Sequence, residues 1–336
     1  LKAFVTGATG LLGNNLVRAL AAEGHGVRAL VRSESKARRL LGDTPAEIVQ
    51  GDMDDVAAFA AALDGCDVVF HTAAYFREYY GAGNHWPRLE ATNVRGTIAL
   101  AEAAHARGVR RFVETNSSST IGLRPDGSPG DEDTAPSPLV ADNLYVRSKL
   151  LAGERLAEYG SRSGLEIVHV MPGWMFGPWD AAPTNSGQLV LGFLDRTMPG
   201  IAPGGMNVAD ARDVAAGMIR AAGHARAGAK YILAGPFVTI ADIFHALARV
   251  TGQPAPALRI PYPVALAYAA VVQTWAKLTG GDTLASVVGV RMLQARLRVT
   301  AARAESDLGW RARPFDETLR DEVAWYRSSI WTRADG

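Results

Sequence analysis

Three glycines spaced three residues apart, Gly7, Gly10 and Gly13, constrain this chain more than any other feature. They lie in Val5-Thr6-Gly7-Ala8-Thr9-Gly10-Leu11-Leu12-Gly13, directly after the apolar run Leu1 to Val5 and at the start of a helix-patterned run. Gly7 lets the chain turn sharply out of a strand, Gly10 lets backbone approach a pyrophosphate, and Gly13 lets helix and sheet pack closely. An anion held there meets the open N–H groups and the favourable dipole of a helix N-terminus. Gly7, Thr9, Gly10, Leu11 and Leu12 are therefore candidate dinucleotide-binding residues. An ordinary tight strand-to-helix turn uses the same residue types, and the flanking pattern supports the sharper reading. Leu12, Leu16, Ala19 and Leu20 form one apolar helical face, Gly24 and Gly26 end it, and Val27 to Val31 reads as the next buried strand. The chain opens on a βαβ unit.

Further strand-like runs follow at Ile48 to Val49, Val68 to His71, Phe112 to Thr115 and Ile167 to Val170, alternating with helix-patterned segments. Such alternation predicts parallel strands joined by crossover helices, with ligands beyond the strand C-termini. At 336 residues the chain can hold one large α/β domain, or a main domain with a smaller lobe. The 35 basic and 34 acidic residues nearly cancel, so nothing in the charge calls for nucleic acid or an anionic membrane as partner. Cys66 is the single cysteine and reads as a small core residue. With no intrachain disulfide and no recognisable secretory leader, the expected location is the cytoplasm. No stretch has the uninterrupted apolar length of a membrane span.

The residues after each strand carry the remaining signals. The second strand ends in Arg32, where selectivity for NAD calls for Asp or Glu; Lys36, Arg38 and Arg39 follow. Basic groups there suit a 2′-phosphate and so NADP(H), although some of the four read more simply as a solvated helix face. Asp52 and Met53 follow the third strand, placed to accept from an adenine amino group and to pack on its ring. After the fourth come Thr72, Ala73 and Ala74, small enough for backbone to pass close to a cofactor, while His71 reads as a packed core histidine. Asn93 is an amide in an aliphatic helical segment, either a surface residue or one bonding an irregular turn.

The fifth strand runs into Thr115-Asn116-Ser117-Ser118-Ser119-Thr120-Ile121-Gly122, a hydroxyl cluster at a strand end. One crossover later comes Tyr145-Val146-Arg147-Ser148-Lys149. Residues four apart share a helix face, and a neighbouring ammonium favours the phenolate of a group whose free pKa, about 10, is too high for proton exchange at neutral pH.

With these elements in this order, the sequence resembles the extended short-chain dehydrogenase/reductase family nearly end to end. The resemblance rests on the glycine turn, Asp52-Met53, His71-Thr72-Ala73-Ala74, Asn93-Val94-Arg95-Gly96-Thr97, the serine cluster, Tyr145 with Lys149, and Pro172-Gly173-Trp174-Met175-Phe176-Gly177-Pro178. It implies a Rossmann-type doubly wound parallel sheet with a smaller, mainly helical C-terminal substrate lobe. It also implies a catalytic set in which Tyr145 exchanges the proton, Lys149 holds the nicotinamide ribose and Ser117 holds the substrate oxygen. Ser118 is the alternative, because Asn116 stands where the family places a small hydroxyl residue. Pro172 joins the cofactor set, and Tyr75, Ser118, Trp174 and Phe176 are candidate substrate contacts. Arg32 with Arg39, and the tail Ala301 to Trp310, look most like the dihydroflavonol 4-reductase and aldehyde-reductase branch. Helices around Asn93 and Tyr145 form a dimer face in many relatives, so a homodimer is a further expectation.

The expected division is a cofactor domain over 1–175, rejoined by 207–234, with the lobe from 176–206 and 235–336. Trp174, Phe176 and Trp179 surround Gly177-Pro178, where they line a pocket for an apolar or ring substrate or form lobe core. Pro261 to Val290 is alanine-, valine- and leucine-rich; it reads as a pocket lid rather than a membrane-skimming or dimer-covering pair, and Arg291 to Arg298 as a solvated basic face. No metal site is expected. The expected function is NADP(H)-dependent interconversion of a small carbonyl substrate and its alcohol. A nucleotide-sugar epimerase or dehydratase is the alternative, with Arg196 and Arg212 as the only obvious diphosphate ligands, and a non-catalytic dinucleotide sensor is a third reading.

Overall fold

The computed structural model describes residues 1–76, 84–138, 143–279, 286–328 and 331. The first half is a regular alternation: β1 (Lys2–Thr6), α1 (Leu11–Ala22), β2 (Gly26–Val31), α2 (Glu34–Leu41), β3 (Glu47–Gln50), α3 (Val56–Phe59) and β4 (Val68–His71). Then come α4 (Trp86–Leu89), a wide π turn over Glu90–Gly96, α5 (Thr97–Ala106), β5 (Arg111–Thr115), α6 (Leu144–Ser163) and β6 (Glu166–Pro172). A short helix, α7 (Asn185–Leu194), precedes α8 (Ala211–His224) and β9 (Lys230–Leu233). Seven strands form one parallel sheet in the order β3-β2-β1-β4-β5-β6-β9. The order reverses between β1 and β4, the crevice where doubly wound sheets hold their ligands.

Period-two alternation sends successive strand residues to opposite faces. Ala3, Val5, Ala29, Val113 and Val168 pack under α1 and α8. Phe4, Val69, Phe112 and Ile167 pack under α5 and α6. Both faces are thus covered, as an all-parallel sheet requires. Cys66 is buried on the second face, where desolvation pushes its thiol up, in keeping with a core role.

Beyond β6 the chain builds a second, three-stranded sheet that the periodicity does not announce. It consists of β7 (Trp174–Phe176), β8 (Gly205–Asp210) and β10 (Phe237–Thr239), in the order β10-β8-β7. Two of these strands, β7 and β10, have three residues each, too short to display a period, which leaves the lobe reading as helical from sequence. Around this sheet lie α7, α9 (Ile240–Thr251) and α13 (Phe315–Tyr326), enclosing a core of Phe176, Phe193, Phe244, Leu247, Leu319 and Trp325. Two further helices, α10 (Tyr262–Thr279) and α11 (Val287–Ala295), pack on each other, and α12 (Ala302–Leu308) packs on α8. Asp282, in the alanine-rich stretch, lies outside the described residues.

Candidate active site

The glycine turn is built as its spacing requires. Gly7 has φ +66°, and a Cβ there would lie 2.8 Å from Thr72 Oγ1 and from the Ala73 amide N. A Cβ on Gly13 would overlap the Gly7 carbonyl oxygen. Gly10 is the extended N-cap of α1, makes no side-chain cap, and leaves the first turn without an acidic residue. The first N–H groups of any helix lack intrahelical acceptors, so the end of α1 presents donors toward the β1/β4 crevice. Leu11 and Leu12 anchor that turn in the core. The opposite wall is fixed by Thr6, whose Oγ1 lies 2.8 Å from His71 Nδ1 and accepts from the Ala73 amide at 3.2 Å. Thr72 Oγ1 donates to the Thr6 carbonyl at 2.7 Å. His71 is a core histidine: its Nε2 meets Thr97 Oγ1 at 2.9 Å, and burial, aided by the Lys149 charge, lowers its pKa to about 3.

Arg32 is exposed at the end of β2, and its guanidinium makes no ion pair among the described residues. Arg38 instead pairs with Glu34 at 2.6 Å along α2 and is part of a solvated face. Asp52 Oδ1 accepts from the Asp54 amide at 3.1 Å. Met53 is 6% exposed in the core beneath β1 and β2, with Gly96 lying against it. Its burial holds the Asp52 loop down.

The hydroxyl cluster and the Tyr/Lys helix meet at the end of β5. Lys149, buried in α6, donates through Nζ to the Thr115 carbonyl at 2.7 Å. Tyr145 stands one turn earlier on the same helix face, in α6's first turn, whose N-cap Asn143 accepts from the amides of Tyr145 and Val146. The Tyr145 ring meets Phe76 edge-on at 4.7 Å. Ser117 is part-exposed and opens a single 3₁₀ turn, Ser118–Thr120, that packs on α6; its Oγ accepts from the Ser119 amide at 3.2 Å. Ser118 is 8% exposed within that turn.

Asn93 is fully inside. It lies in the π turn, accepts from the Tyr75 amide at 2.7 Å, and donates to the Tyr75 carbonyl and to Ser148 Oγ, each at 3.1 Å. The surface alternative for Asn93 therefore falls, and the residue ties the irregular segment after β4 to the helix of Tyr145. Asn116, which departs from the family pattern, also has a defined part. Its Oδ1 accepts from the Ser117 amide at 2.9 Å, while Nδ2 donates to the Lys149 carbonyl at 3.0 Å and to Glu114 at 3.2 Å. Gly153 makes room for it, since a Cβ there would come within 2.9 Å of Asn116 Nδ2.

Behind Lys149 lies a buried polar group that the sequence reading lacks. Glu114 on β5 and His169 on β6 are register partners, with His169 Nδ1 2.5 Å from Glu114 Oε2. Burial pushes the Glu114 carboxyl up, but the His169 hydrogen bond and the charges of His169 and Lys149 outweigh it and hold it below the usual carboxylate range. Burial lowers the Lys149 pKa, and Glu114 opposes that shift. A signal was available: Glu114 and His169 each interrupt an apolar strand at an inward-facing position.

The substrate candidates separate. Tyr75 is half-buried, its hydroxyl 2.8 Å from His85 Nδ1, and Trp174 is partly exposed. Phe176 is completely buried, 5.0 Å from Trp174 and 5.2 Å from Phe315 between ring centroids, so it is lobe core and lines no pocket. Pro172 ends β6, buried beside Leu233. Arg212 is bound through Nε and Nη2 to Asp210 and through Nη1 to Asp321 at 2.6 Å.

A switch-point crevice, a glycine turn that excludes side chains and a Ser/Tyr/Lys array beside it define a Rossmann-type dinucleotide-binding protein. The NAD dependent epimerase/dehydratase family model matches residues 3–234, and the chain belongs to that family, the extended short-chain dehydrogenase/reductases. NAD(P) is the cofactor typical of the family. The chain is 33% identical to a provisionally assigned dihydroflavonol 4-reductase of Synechocystis sp., covering 97% of this chain and 94% of that protein. It is 32% identical to sterol demethylase protein B of Methylococcus capsulatus, covering 97% and 98%. A solved nucleoside-diphosphate-sugar epimerase from Pseudomonas aeruginosa superposes with TM-score 0.79 at 26% identity, covering 99% of each chain.

Proposed function

We propose that the protein is an NADP(H)-dependent oxidoreductase that interconverts an apolar, ring-containing ketone or aldehyde with its alcohol. The observation that carries this reading is the anchoring of Lys149 on the Thr115 carbonyl, one helical turn from Tyr145 and beside the Ser117 turn. The cradle at Gly7 and Gly13, closed to any Cβ, fits a pyrophosphate on the amides of α1, with Thr9, Gly10, Leu11 and Leu12 around it. Arg32, exposed beyond β2, suits a 2′-phosphate, and Asp52 an adenine amino group.

Bound there, the nicotinamide supplies hydride exchange with carbon. Tyr145 gives its phenolic proton to the carbonyl oxygen or takes it back from the alcohol. Lys149, whose pKa burial lowers and the Glu114 charge supports, stabilises the phenolate between turnovers when it carries its proton. Ser117 Oγ donates to the same oxygen and fixes its direction. Asn93 and Asn116 position these groups by tying Tyr75, Ser148, Ser117 and the Lys149 carbonyl together. The similarity to proteins named for a dihydroflavonol and a sterol supports a ring-bearing substrate.

Arg212 weighs against the sugar-nucleotide alternative. An epimerase needs cations to grip a diphosphate, and this guanidinium is already occupied by Asp210 and Asp321. The test is a pair of titrations with NADPH and NADH, followed by an absorbance screen at the nicotinamide band against ring ketones and aldehydes. Tighter NADPH binding with steady oxidation by a carbonyl is expected; cofactor retained through purification, with no consumption by any carbonyl, would move the assignment to an epimerase.

A further inference from the structure

The two sides of α10 differ sharply in composition. Its inward side is small, with Ala265, Ala269 and Ala276 buried. Its outward side carries Val264, Tyr268, Val271, Trp275 and Leu278, between 55% and 78% exposed. Their spacing alternates four and three, so they form one stripe along the helix, about 21 Å long at 1.5 Å per residue. Among the described side chains of that side, Ala267, Ala270, Thr274 and Thr279 are also exposed and carry no charge. Among the described residues seven large apolar side chains are exposed; five make this stripe and a sixth, Leu258, lies just before it. A contiguous apolar surface of this kind marks an interaction site.

Charge identifies the occupant. Residues 252–300 hold five of the chain's 35 basic residues and one of its 34 acidic ones. Arg259, Arg291 and Arg296 are exposed and form no ion pair among the described residues, and exposed Arg298 reaches only the Gly127 carbonyl, at 3.4 Å. A second copy would offer the same net-positive segment, so charge does not favour it as the occupant. An anionic lipid surface attracts this cationic set. Tyr and Trp suit the boundary between headgroups and acyl chains, and α10 is not apolar enough to cross a bilayer.

We propose that α10 docks the protein onto an anionic lipid bilayer, with the stripe from Val264 to Leu278 at the headgroup boundary and the flanking arginines on the phosphate layer. The proposal departs from the sequence reading of the segment as a pocket lid with a solvated basic face. The docking stands whatever reaction the active site performs.

Sedimentation of the full chain with vesicles of phosphatidylcholine and phosphatidylglycerol, and with vesicles of phosphatidylcholine alone, tests it. Binding to the mixed vesicles is expected, weaker on the neutral ones and weakened by salt. The double variant Val271→Ser, Trp275→Ser should lower the partition at least ~tenfold while the melting temperature stays, because both side chains are exposed. Arg259→Glu with Arg291→Glu should remove the preference for the anionic vesicles. No binding to mixed vesicles, or binding indifferent to the Val271/Trp275 variant, overturns the proposal. So does a dimer that the same variant dissociates without any vesicle binding, which would give the stripe to a second copy.

Discussion

The buried interior next to Tyr145 and the core of the C-terminal lobe differ in what fills them. Around β5 and α6 the buried groups are polar and tied one to another: Lys149 to Thr115, Asn116 to Glu114 and Ser117, Asn93 to Tyr75 and Ser148. In the lobe they are aromatic, with Phe176, Phe315, Trp174 and Trp325 packed ring against ring. The lobe's buried carboxyls are few and serve its turns, Glu322 accepting from the Gly177 amide at 2.9 Å and Asp180 from the Thr184 amide at 2.7 Å. Hydrogen bonds are directional and place atoms, whereas apolar contact is non-directional and sets shape. Proton transfer needs placed atoms, so the polar seam is where reactivity belongs, and the lobe is suited to selecting a substrate.

The largest effect should come from the seam. On the proposed mechanism Tyr145→Phe removes the exchanging proton and little else, so turnover should fall by ~10²–10⁴ with NADPH affinity nearly kept. Stopped-flow turnover and a fluorescence titration on one preparation separate the two quantities. Turnover close to that of the parent protein would break the division of labour outright.

Phe176→Ala attacks the other half. The side chain is fully enclosed, so its loss should cost ~3–5 kcal/mol of stability. The lobe meets the helix of the cradle where Asn15 Nδ2 donates to the Pro178 carbonyl at 2.9 Å and Arg18 lies over the Trp179 ring, and neither contact uses Phe176 itself, so NADPH affinity of the remaining folded protein should not move. A parallel fall in affinity would show that the halves act as one unit.

The same contrast explains what could be read from the sequence. The parallel sheet was legible because its strands are apolar runs between glycine-marked turns, and the cradle because Gly7 and Gly13 leave no alternative residue. Tyr145 and Lys149 were legible through helical spacing. Glu114 and His169 were passed over because a polar residue in a buried strand announces itself only when its register partner is known. Phe176 beside Gly177-Pro178 read equally well as pocket wall or core, and only packing against Phe315 distinguishes them.

Glu114→Gln sharpens the comparison within the seam. The amide keeps the shape and an acceptor for His169 but removes the charge that opposes the lowering of the Lys149 pKa by burial. Lys149 then loses its proton at lower pH than in the parent protein, and the alkaline limb of the pH–rate profile should move downward. A role confined to packing would lower the melting temperature and leave that limb where it was.

The smallest effect separates two arginines of the same half. Arg38 is engaged by Glu34 on the outer face of α2, whereas Arg32 lies at the strand end, free of ion pairs among the described residues. Arg32→Ala should weaken NADPH binding about tenfold, as expected for one lost charge-assisted phosphate contact, and leave NADH binding unchanged. Arg38→Ala should alter neither. Equal losses for both cofactors on replacing Arg32 would mean that its guanidinium does not read the 2′-phosphate. Placement of charge on this side of the sheet would then be as undemanding as the packing of the lobe, and the contrast between the halves would shrink to the Tyr145 seam alone.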